Sequence, residues 1–219
     1  MTKVYFIRHG EAEGNLQRLA QGHFDGKITE RGFRQLAALS KRFADIQLDA
    51  AYSSDLSRAI TTAKAVCDPK GLEVQIEPDF RELNMGSWEG RLWQWIYDND
   101  AERYDAFNNH LERFQADGGE TPQQVVDRFY PKMMQYVRQN DGKTIASFSQ
   151  GCALRYMINI LKGLTWEQIG DTTHGDNTAV SLVEFDGDEV RVIYQDDSSH
   201  LDAENLSTLA TQTWWRKEK

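Results

Sequence analysis

Arginine and histidine side chains follow short apolar or small-residue segments at two places in this chain. Arg8 and His9 come directly after the run Val4 to Ile7, and Arg58 follows the segment Ala50 to Ser53. A guanidinium group presents a planar set of N–H donors that matches the oxygens of a phosphate. A neutral imidazole nitrogen beside such cations can attack phosphorus while the cations stabilise the equatorial oxygens. These residue types therefore predict a phosphoryl-transfer site with His9 as the nucleophile.

Two further segments could complete such a site. Ser149-Gln150-Gly151 separates an apolar run from a helical pattern, and the N–H groups that open a helix favour an anion. We therefore expect Gly151 to lie against the phosphate. A departing alkoxide needs a proton, and Glu82, in the polar segment 80–90, is the best candidate for the general acid.

The predicted elements place these residues at one edge of a sheet. Short β-branched or aromatic runs alternate with helical patterns in the order βα, βα, helical insertion, βα, ββ. This alternation predicts an α/β fold, a three-layer α/β/α sandwich with a mostly parallel central sheet. In such sheets ligands bind beyond the carboxyl ends of the strands, which is where Arg8, Arg58 and Gln150 are expected.

More specific structural predictions are possible for three segments. A helix that opens at Thr29 should bury the apolar face formed by Phe33, Leu36, Leu39 and Phe43. Residues 91–140, rich in aromatic and charged side chains, are expected to form an α-helical insertion. Residues from about 196, which include Trp214 and Trp215, are interpreted as a polar C-terminal tail of a single domain spanning residues 1–219.

Composition excludes several classes of protein. With 219 residues, 40% of them hydrophobic, the chain is long enough to bury a core. Its 25 Lys plus Arg and 34 Asp plus Glu give a net charge of −9, which disfavours nucleic acid and anionic membranes as partners. Neither a signal peptide nor a membrane span is visible, and two widely separated cysteines are typical of a reducing compartment, so a cytoplasmic protein is expected.

Several motifs along the chain resemble those of one enzyme family. In order, they are Arg8-His9-Gly10-Glu11, Asn15, Gln21-Gly22, Leu56-Ser57-Arg58-Ala59, Arg81-Glu82 and Gly86-Ser87-Trp88-Glu89-Gly90. Together they are similar to motifs of the histidine phosphatase, or phosphoglycerate mutase-like, superfamily, over roughly residues 2–195. The resemblance implies that His9 becomes a phosphohistidine and that Glu82 is the proton donor. The phosphate-binding residues implied with them are Arg8, Asn15, Gln21, Gly22 and Arg58.

One motif departs from the family. Ser149-Gln150-Gly151 stands where the family has Ser-His-Gly. The Gln150 amide can donate to the transferring phosphoryl group at similar reach, but it stays neutral. We therefore expect Gln150 to be a catalytic residue, with a turnover below that of an enzyme carrying the histidine.

The expected function is metal-independent hydrolysis of a small phosphorylated metabolite, with no cofactor. The stretch from Arg81 to Gly90 favours the phosphatase branch over the mutases, and mutase-type phosphoryl transfer remains an alternative. A second alternative is a phosphoester-binding pseudoenzyme. A third is a nucleophile elbow at Ser149 with His200 as base. A homodimer is left open.

Four histidines and one cysteine have no chemical role in the favoured interpretation. His23, His110, His174 and His200 lack metal-ligand spacing and are expected at the surface. Cys152 is interpreted as a small buried hydrophobic residue.

Overall fold

A six-stranded sheet forms the centre of the protein in the computed structural model, which describes residues 1–204 and 206–208. The strands are β1 (Thr2–Arg8), β2 (Ala50–Ser53), β3 (Val74–Ile76), β4 (Thr144–Ser149), β5 (Val180–Asp186) and β6 (Glu189–Asp197). Their order is β3-β2-β4-β1-β5-β6. The first four are parallel, while β5 runs antiparallel to both β1 and β6. The predicted α/β fold with a mostly parallel sheet is confirmed.

Helices connect the strands. They are α1 (Glu13–Gln17), α2 (Glu30–Phe43), α3 (Ser57–Cys67), α4 (Trp93–Asn99), α5 (Ala101–Asn109), α6 (Pro122–Gln139), α7 (Gly151–Leu161) and α8 (Trp166–Gly170). Short 3-10 turns lie at Asp68–Lys70, Pro78–Phe80, Gly86–Trp88, Leu111–Arg113 and Ser199–Glu204. Among these described elements, no helix is long and apolar enough to cross a membrane.

Alternate side chains of the central strands point to two apolar layers. In β1, Phe6 packs in the cluster that contains residues of α6 and α7, whereas Ile7 packs in the cluster that contains residues of α2 and α3. Ile145 and Phe148 of β4 divide between the two clusters in the same way. Burying one such large side chain stabilises the folded state by about 1.5 to 3 kcal/mol. Because helices cover both faces of the sheet, the protein has the expected three layers.

The buried face of α2 differs from the prediction at one position. Leu36, Leu39 and Phe43 are buried, but Phe33 is 56% exposed and the expectation for it is wrong. Gln35 takes its place on the inner face, because its amide accepts from the backbone N–H of Glu11 and donates to the backbone carbonyl of Leu206. Buried backbone N–H and carbonyl groups need hydrogen-bond partners. The two hydrogen bonds of Gln35 therefore determine which face of α2 is turned inward.

The predicted helical insertion is shorter than expected. Helix α6 belongs to the framework, since Val125, Phe129 and Met133 share one core cluster with Ile145 of β4. Helices α4 and α5 and the following 3-10 turn form the remaining insertion between β3 and α6, and Trp93, Phe107 and Leu111 attach it to the same cluster. The recurrence of apolar residues at three- and four-residue spacing in α6 is the signal that marks it as a sheet-covering helix.

The segment interpreted as a polar tail is also structured over most of its described length. β6 extends to Asp197, and Leu201 and Leu206 are buried. Asp176 fixes the end of this segment by accepting hydrogen bonds from the Ser207 hydroxyl and from the Thr208 backbone N–H. Trp214 and Trp215 lie outside the described residues.

Candidate active site

A pocket opens beyond the carboxyl ends of β1 and β4. One part of its wall is polar and contains Arg8, His9, Asn15, Gln21, Glu82, Gly151 and His174. The other part is apolar and contains Leu19, Met85, Trp93, Phe107 and Cys152. The position at strand ends is the one that the sequence predicts, and the mixed wall suits a ligand with one charged end.

His9 is held as a neutral imidazole with one nitrogen available for chemistry. Its side chain is 3% exposed, and Nδ1 lies 2.6 Å from the Gly10 carbonyl oxygen, so Nδ1–H donates and Nε2 keeps its lone pair. Burial lowers the pKa of His9 well below its ordinary value, and the charges of Arg58 and Arg8 lower it further. At neutral pH the ring is therefore uncharged, which is the form in which an imidazole can attack phosphorus.

Arg8 reaches the pocket over the start of α7. Its Nη1 donates to the Gly175 carbonyl oxygen, while its buried Nε has no hydrogen-bond partner among the described residues. A Cβ at Gly151 would lie 3.2 Å from Arg8 Nε, so glycine permits the close approach of this guanidinium. The result is a buried N–H donor in a site built to receive an acceptor.

Arg58 lies behind the pocket wall rather than in it. Its side chain is fully buried and donates to the carbonyl oxygens of Phe24, Gln21 and Gly22. Its Nε also lacks a partner among the described residues. Its acidic neighbour is Asp25 at 3.8 Å, and Asp55 pairs with Arg81 instead.

The loop residues expected to bind phosphate have different positions. Asn15 and Gln21 line the pocket, and Asn15 Oδ1 accepts from the Ala12 N–H, which leaves its amide nitrogen as a donor. Gly22 is not in the wall. A Cβ there would lie 2.4 Å from the Leu83 carbonyl oxygen, so glycine lets the two loops pack together.

Glu82 occupies the anion position at the start of α7. One carboxylate oxygen accepts from the backbone N–H of Cys152 at 2.9 Å, and the other accepts from those of Ala153 at 2.8 Å and Leu83 at 2.9 Å. The expectation that these helix amides face the phosphate is therefore corrected. They bind a carboxylate of the chain itself, because the helix N-terminus favours any negative group placed there. This anchoring fixes Glu82 in the pocket wall.

Gln150 faces away from the pocket in this structure. Its Nε2 donates to the Ser54 hydroxyl at 2.9 Å, and its Oε1 lies 3.2 Å from the Ser149 hydroxyl oxygen. The side chain is fully buried and is not part of the wall. It joins the carboxyl ends of β4 and β2 instead of donating to the pocket.

The nucleophile elbow is not assembled. The Ser149 hydroxyl donates to the Phe80 carbonyl oxygen at 2.7 Å. His200 accepts from Arg42 and donates to the Thr178 hydroxyl at 3.0 Å. The serine and the histidine thus have separate partners, and the alternative loses its geometric basis.

His174 lies in the pocket wall and is partly exposed, whereas its sequence context predicts a surface position without a chemical role. Burial and the charges of Arg155 and Arg8 lower its pKa well below the ordinary value. No local pattern in the sequence marks this residue, because it lies in a loop between α8 and β5. Among the described residues, no group of three or more His, Cys, Asp or Glu side chains could hold a metal ion.

Comparison with known proteins identifies the family. The model of the histidine phosphatase superfamily (branch 1) matches residues 4–198. This chain belongs to the histidine phosphatase superfamily. Its fold is similar to that of the solved structure of Bacillus stearothermophilus YhfR, with a TM-score of 0.89 and 27% identity, covering 92% of this chain and 100% of that one.

Relatives within the superfamily have both phosphatase and mutase names. A probable phosphoglycerate mutase GpmB of Cronobacter sakazakii is 30% identical over 168 residues, 75% of this chain and 76% of the relative. An adenosylcobalamin/alpha-ribazole phosphatase of Escherichia coli is 32% identical over 137 residues, 61% of this chain and 68% of the relative. Membership therefore supports an enzyme that acts on phosphate esters.

Proposed function

We propose that this protein hydrolyses a small phosphomonoester through a phosphohistidine on His9, without a metal ion. The observation that carries the proposal is the neutral His9 ring beside two guanidinium groups, each of which has a buried Nε–H without a partner among the described residues. An unsatisfied buried donor costs about 1 to 3 kcal/mol. The oxygens of a bound phosphoryl group are the hydrogen-bond acceptors that these two Nε–H groups lack.

The reaction has two steps. In the first, His9 Nε2 attacks phosphorus, the bond to the ester oxygen breaks, and Glu82 in its protonated form gives a proton to the leaving oxygen. In the second, water attacks the phosphorus, its proton passes to the Glu82 carboxylate, and the P–N bond breaks to release phosphate. Arg8, Arg58, Asn15 and Gln21 stabilise the charge on the phosphoryl oxygens in both steps.

The apolar wall favours hydrolysis over mutase activity. A phosphoglycerate mutase has to hold a second anionic group of its substrate or primer, which requires further cations. Arg8 is the only Lys or Arg that the described part of the chain contributes to the wall, and the far side consists of Leu19, Met85, Trp93, Phe107 and Cys152. The pocket supports a single phosphate and an uncharged leaving group.

The test is phosphate release from p-nitrophenyl phosphate in the presence of EDTA. Wild-type protein should turn over steadily, and acid quench with mass spectrometry should find the phosphate on His9. His9→Ala should show neither signal. Release that survives in His9→Ala, or that requires added metal, would contradict the mechanism.

Two outcomes decide between the proposal and its alternatives. Stoichiometric phosphate binding with no release would identify a phosphoester-binding pseudoenzyme. Interconversion of 2-phosphoglycerate and 3-phosphoglycerate faster than phosphate release would identify a mutase.

The two buried free thiols, Cys67 and Cys152, support the expectation of a reducing compartment.

A further inference from the structure

Glu89 belongs to the motif at residues 86–90, to which the proposed reaction assigns no role. Its Oε1 accepts from the backbone N–H of His23 at 2.7 Å and from that of Met85 at 2.9 Å. Its Oε2 accepts from the backbone N–H of Phe24 at 2.7 Å. One partly buried carboxylate therefore joins backbone donors from two separate loops.

These two loops carry different parts of the pocket wall. Loop 21–24 contributes Gln21, and segment 82–85 contributes Glu82, the proposed acid. Neither stretch belongs to a helix or a strand. Their backbone N–H groups therefore need partners from outside regular structure, and the shared carboxylate is one of these partners. The position of the two stretches relative to each other thus depends on Glu89.

A cation holds the opposite side of loop 21–24. The buried guanidinium of Arg58 donates to three carbonyl oxygens of this loop, at 2.7, 2.8 and 3.2 Å. Burial lowers the pKa of Arg58, and the charge of Glu89 is among those that oppose this shift. The loop is therefore held between an anion that binds its N–H groups and a cation that binds its carbonyl groups.

Glycine at position 22 admits the carboxylate. A Cβ there would lie 2.2 Å from Glu89 Oε1, which is far too close for a normal contact. On the other side, the 3-10 turn Gly86–Trp88 lies between Met85 and Glu89 and brings the carboxylate back to the Met85 N–H. Both stretches are thus packed around the side chain of Glu89.

The position of Gln21 depends on its loop, whereas that of Glu82 does not. The Oε1 atom of Gln21 is buried without a hydrogen-bond partner among the described residues. The carboxylate of Glu82 accepts from three backbone N–H groups, two of them in α7. A shift of loop 21–24 would therefore displace Gln21 and leave the proposed acid in place.

We propose that Glu89 is a positioning residue for phosphoryl transfer, which holds loop 21–24 so that Gln21 reaches the oxygens of the phosphoryl group. The inference rests on the proposed function, in which Gln21 binds those oxygens. Glu89 is outside the pocket wall, so its effect on the rate passes through the loop. A displacement of about 1 Å at a reacting group can cost about 100-fold in rate, so a small shift of the loop is sufficient.

The experiment is a double-mutant cycle between Glu89 and Gln21. Glu89→Ala and Glu89→Gln are each made in the wild type and in Gln21→Ala. Glutamine keeps one oxygen that can join the two loops, whereas alanine keeps none. Glu13→Ala is the matched control, because the exposed Glu13 carboxylate also accepts from a backbone N–H, that of Lys27.

The substrate is p-nitrophenyl phosphate, because its leaving group needs little help from an acid and its turnover depends little on Glu82. The kcat and KM for this substrate and the Ki of orthovanadate would be measured for each variant. Melting temperatures would show whether each variant is folded at the assay temperature.

Positioning through Gln21 predicts losses that do not add. Glu89→Ala and Gln21→Ala should each lower kcat/KM by about 10-fold to 100-fold, with a parallel rise in the Ki of orthovanadate. In Gln21→Ala, the further change Glu89→Ala should cost less than about threefold, because the side chain that Glu89 positions is already absent. Glu89→Gln should keep at least about threefold more activity than Glu89→Ala. Glu13→Ala should equal the wild type.

The results that would overturn the inference differ from those that would overturn the function. In an active wild type, additive losses in the cycle would refute the positioning role, as would unchanged kcat/KM in Glu89→Ala or in Gln21→Ala. Equal losses in the Ala and Gln variants of Glu89 would also refute it. If Glu89→Ala does not fold, the cycle with Glu89→Gln decides by the same criterion of additivity. A wild type with neither turnover nor phospho-His9 would refute the function and the inference together.

Discussion

Among the individual residues of this site, the main feature is buried positive charge. Arg58 is fully buried, and its desolvation lowers the pKa of its guanidinium, although Glu82 and Asp25 oppose the shift. His9 faces two of these cations, so protonation of its ring is disfavoured and its nucleophilic form persists to acidic pH. The same charges that keep His9 neutral are the charges that a phosphate would neutralise.

Glu82 gives a prediction at this scale. Glu82→Gln keeps the volume of the side chain but removes the transferable proton, and it turns one of three backbone N–H contacts into a donor–donor clash. Turnover of alkyl phosphates should fall by about 100-fold or more. Turnover of p-nitrophenyl phosphate should fall much less, because p-nitrophenolate departs without an acid.

Parallel assays on the two substrates would provide the check. Melting temperatures should also fall, since a lost or clashing buried hydrogen bond costs about 1 to 3 kcal/mol. Equal rate losses on both substrates would mean that Glu82 acts only as an anchor of α7 and not as the proton donor.

The elements divide the pocket into a rigid polar end and an aromatic end. Strands β1 and β4 and helix α7 carry the polar end, while α4 and α5 carry the aromatic end. Trp93 and Phe107 stack with ring centroids 5.3 Å apart, and Trp88 packs edge-on against both. Stacked aromatic pairs contribute about 0.5 to 1.5 kcal/mol beyond their buried area, which makes this wall a firm surface for a leaving group.

The aromatic wall predicts a change in substrate preference. Trp93→Leu should raise KM for naphthyl phosphate by about tenfold, the loss expected when roughly 1.4 kcal/mol of apolar contact is removed. The Ki of inorganic phosphate should stay the same, because phosphate occupies the polar end. Inhibition and steady-state kinetics would measure both quantities.

Trp95 offers a matched control on the same helix. It is 42% exposed, contacts Arg91 and is not part of the pocket wall. Trp95→Leu should leave both constants unchanged. If the two variants behave alike, the apolar wall does not contact the leaving group.

At the scale of the whole molecule, three histidines whose pKa values are lowered in the folded state connect stability to pH. Burial lowers the pKa of His9, His174 and His200, the last to about 4. The unfolded chain therefore binds more protons than the folded one below pH about 6.5. The free energy of unfolding should fall as pH decreases from about 6.5, by at most about 1.4 kcal/mol per pH unit for each histidine.

His200 isolates one of these contributions away from the pocket. His200→Gln can keep the donor to Thr178 without a titrating ring. The loss of unfolding free energy between pH 6.5 and 5 should then be smaller than in the wild type by about 1 kcal/mol. Urea unfolding at both pH values would measure it, and parallel pH profiles of variant and wild type would contradict the assignment.

Local order along the chain determined much of the fold and part of the candidate site. Arg8 and His9 follow a buried strand directly, and Gly151 opens the helix after β4, so the rule for strand ends in parallel sheets brings them together. The structure differs from the sequence prediction at Phe33 and in the described part of the segment after residue 196, because Gln35 and Asp176 form hydrogen bonds with residues far away in sequence.

The sequence by itself therefore determined the class of chemistry and the edge of the sheet where its main residues lie, because those residues are adjacent to strands. Only the tertiary structure decided which groups face each other across the pocket. Glu82 binds amides of residues 152 and 153, Gln150 turns to Ser54, and His174 enters the wall beside Arg8. Each of these contacts joins segments that are distant in the chain. The direction of a side chain at such a contact is set by the hydrogen-bond donors and charges that packing brings near it. A local sequence pattern does not contain this information.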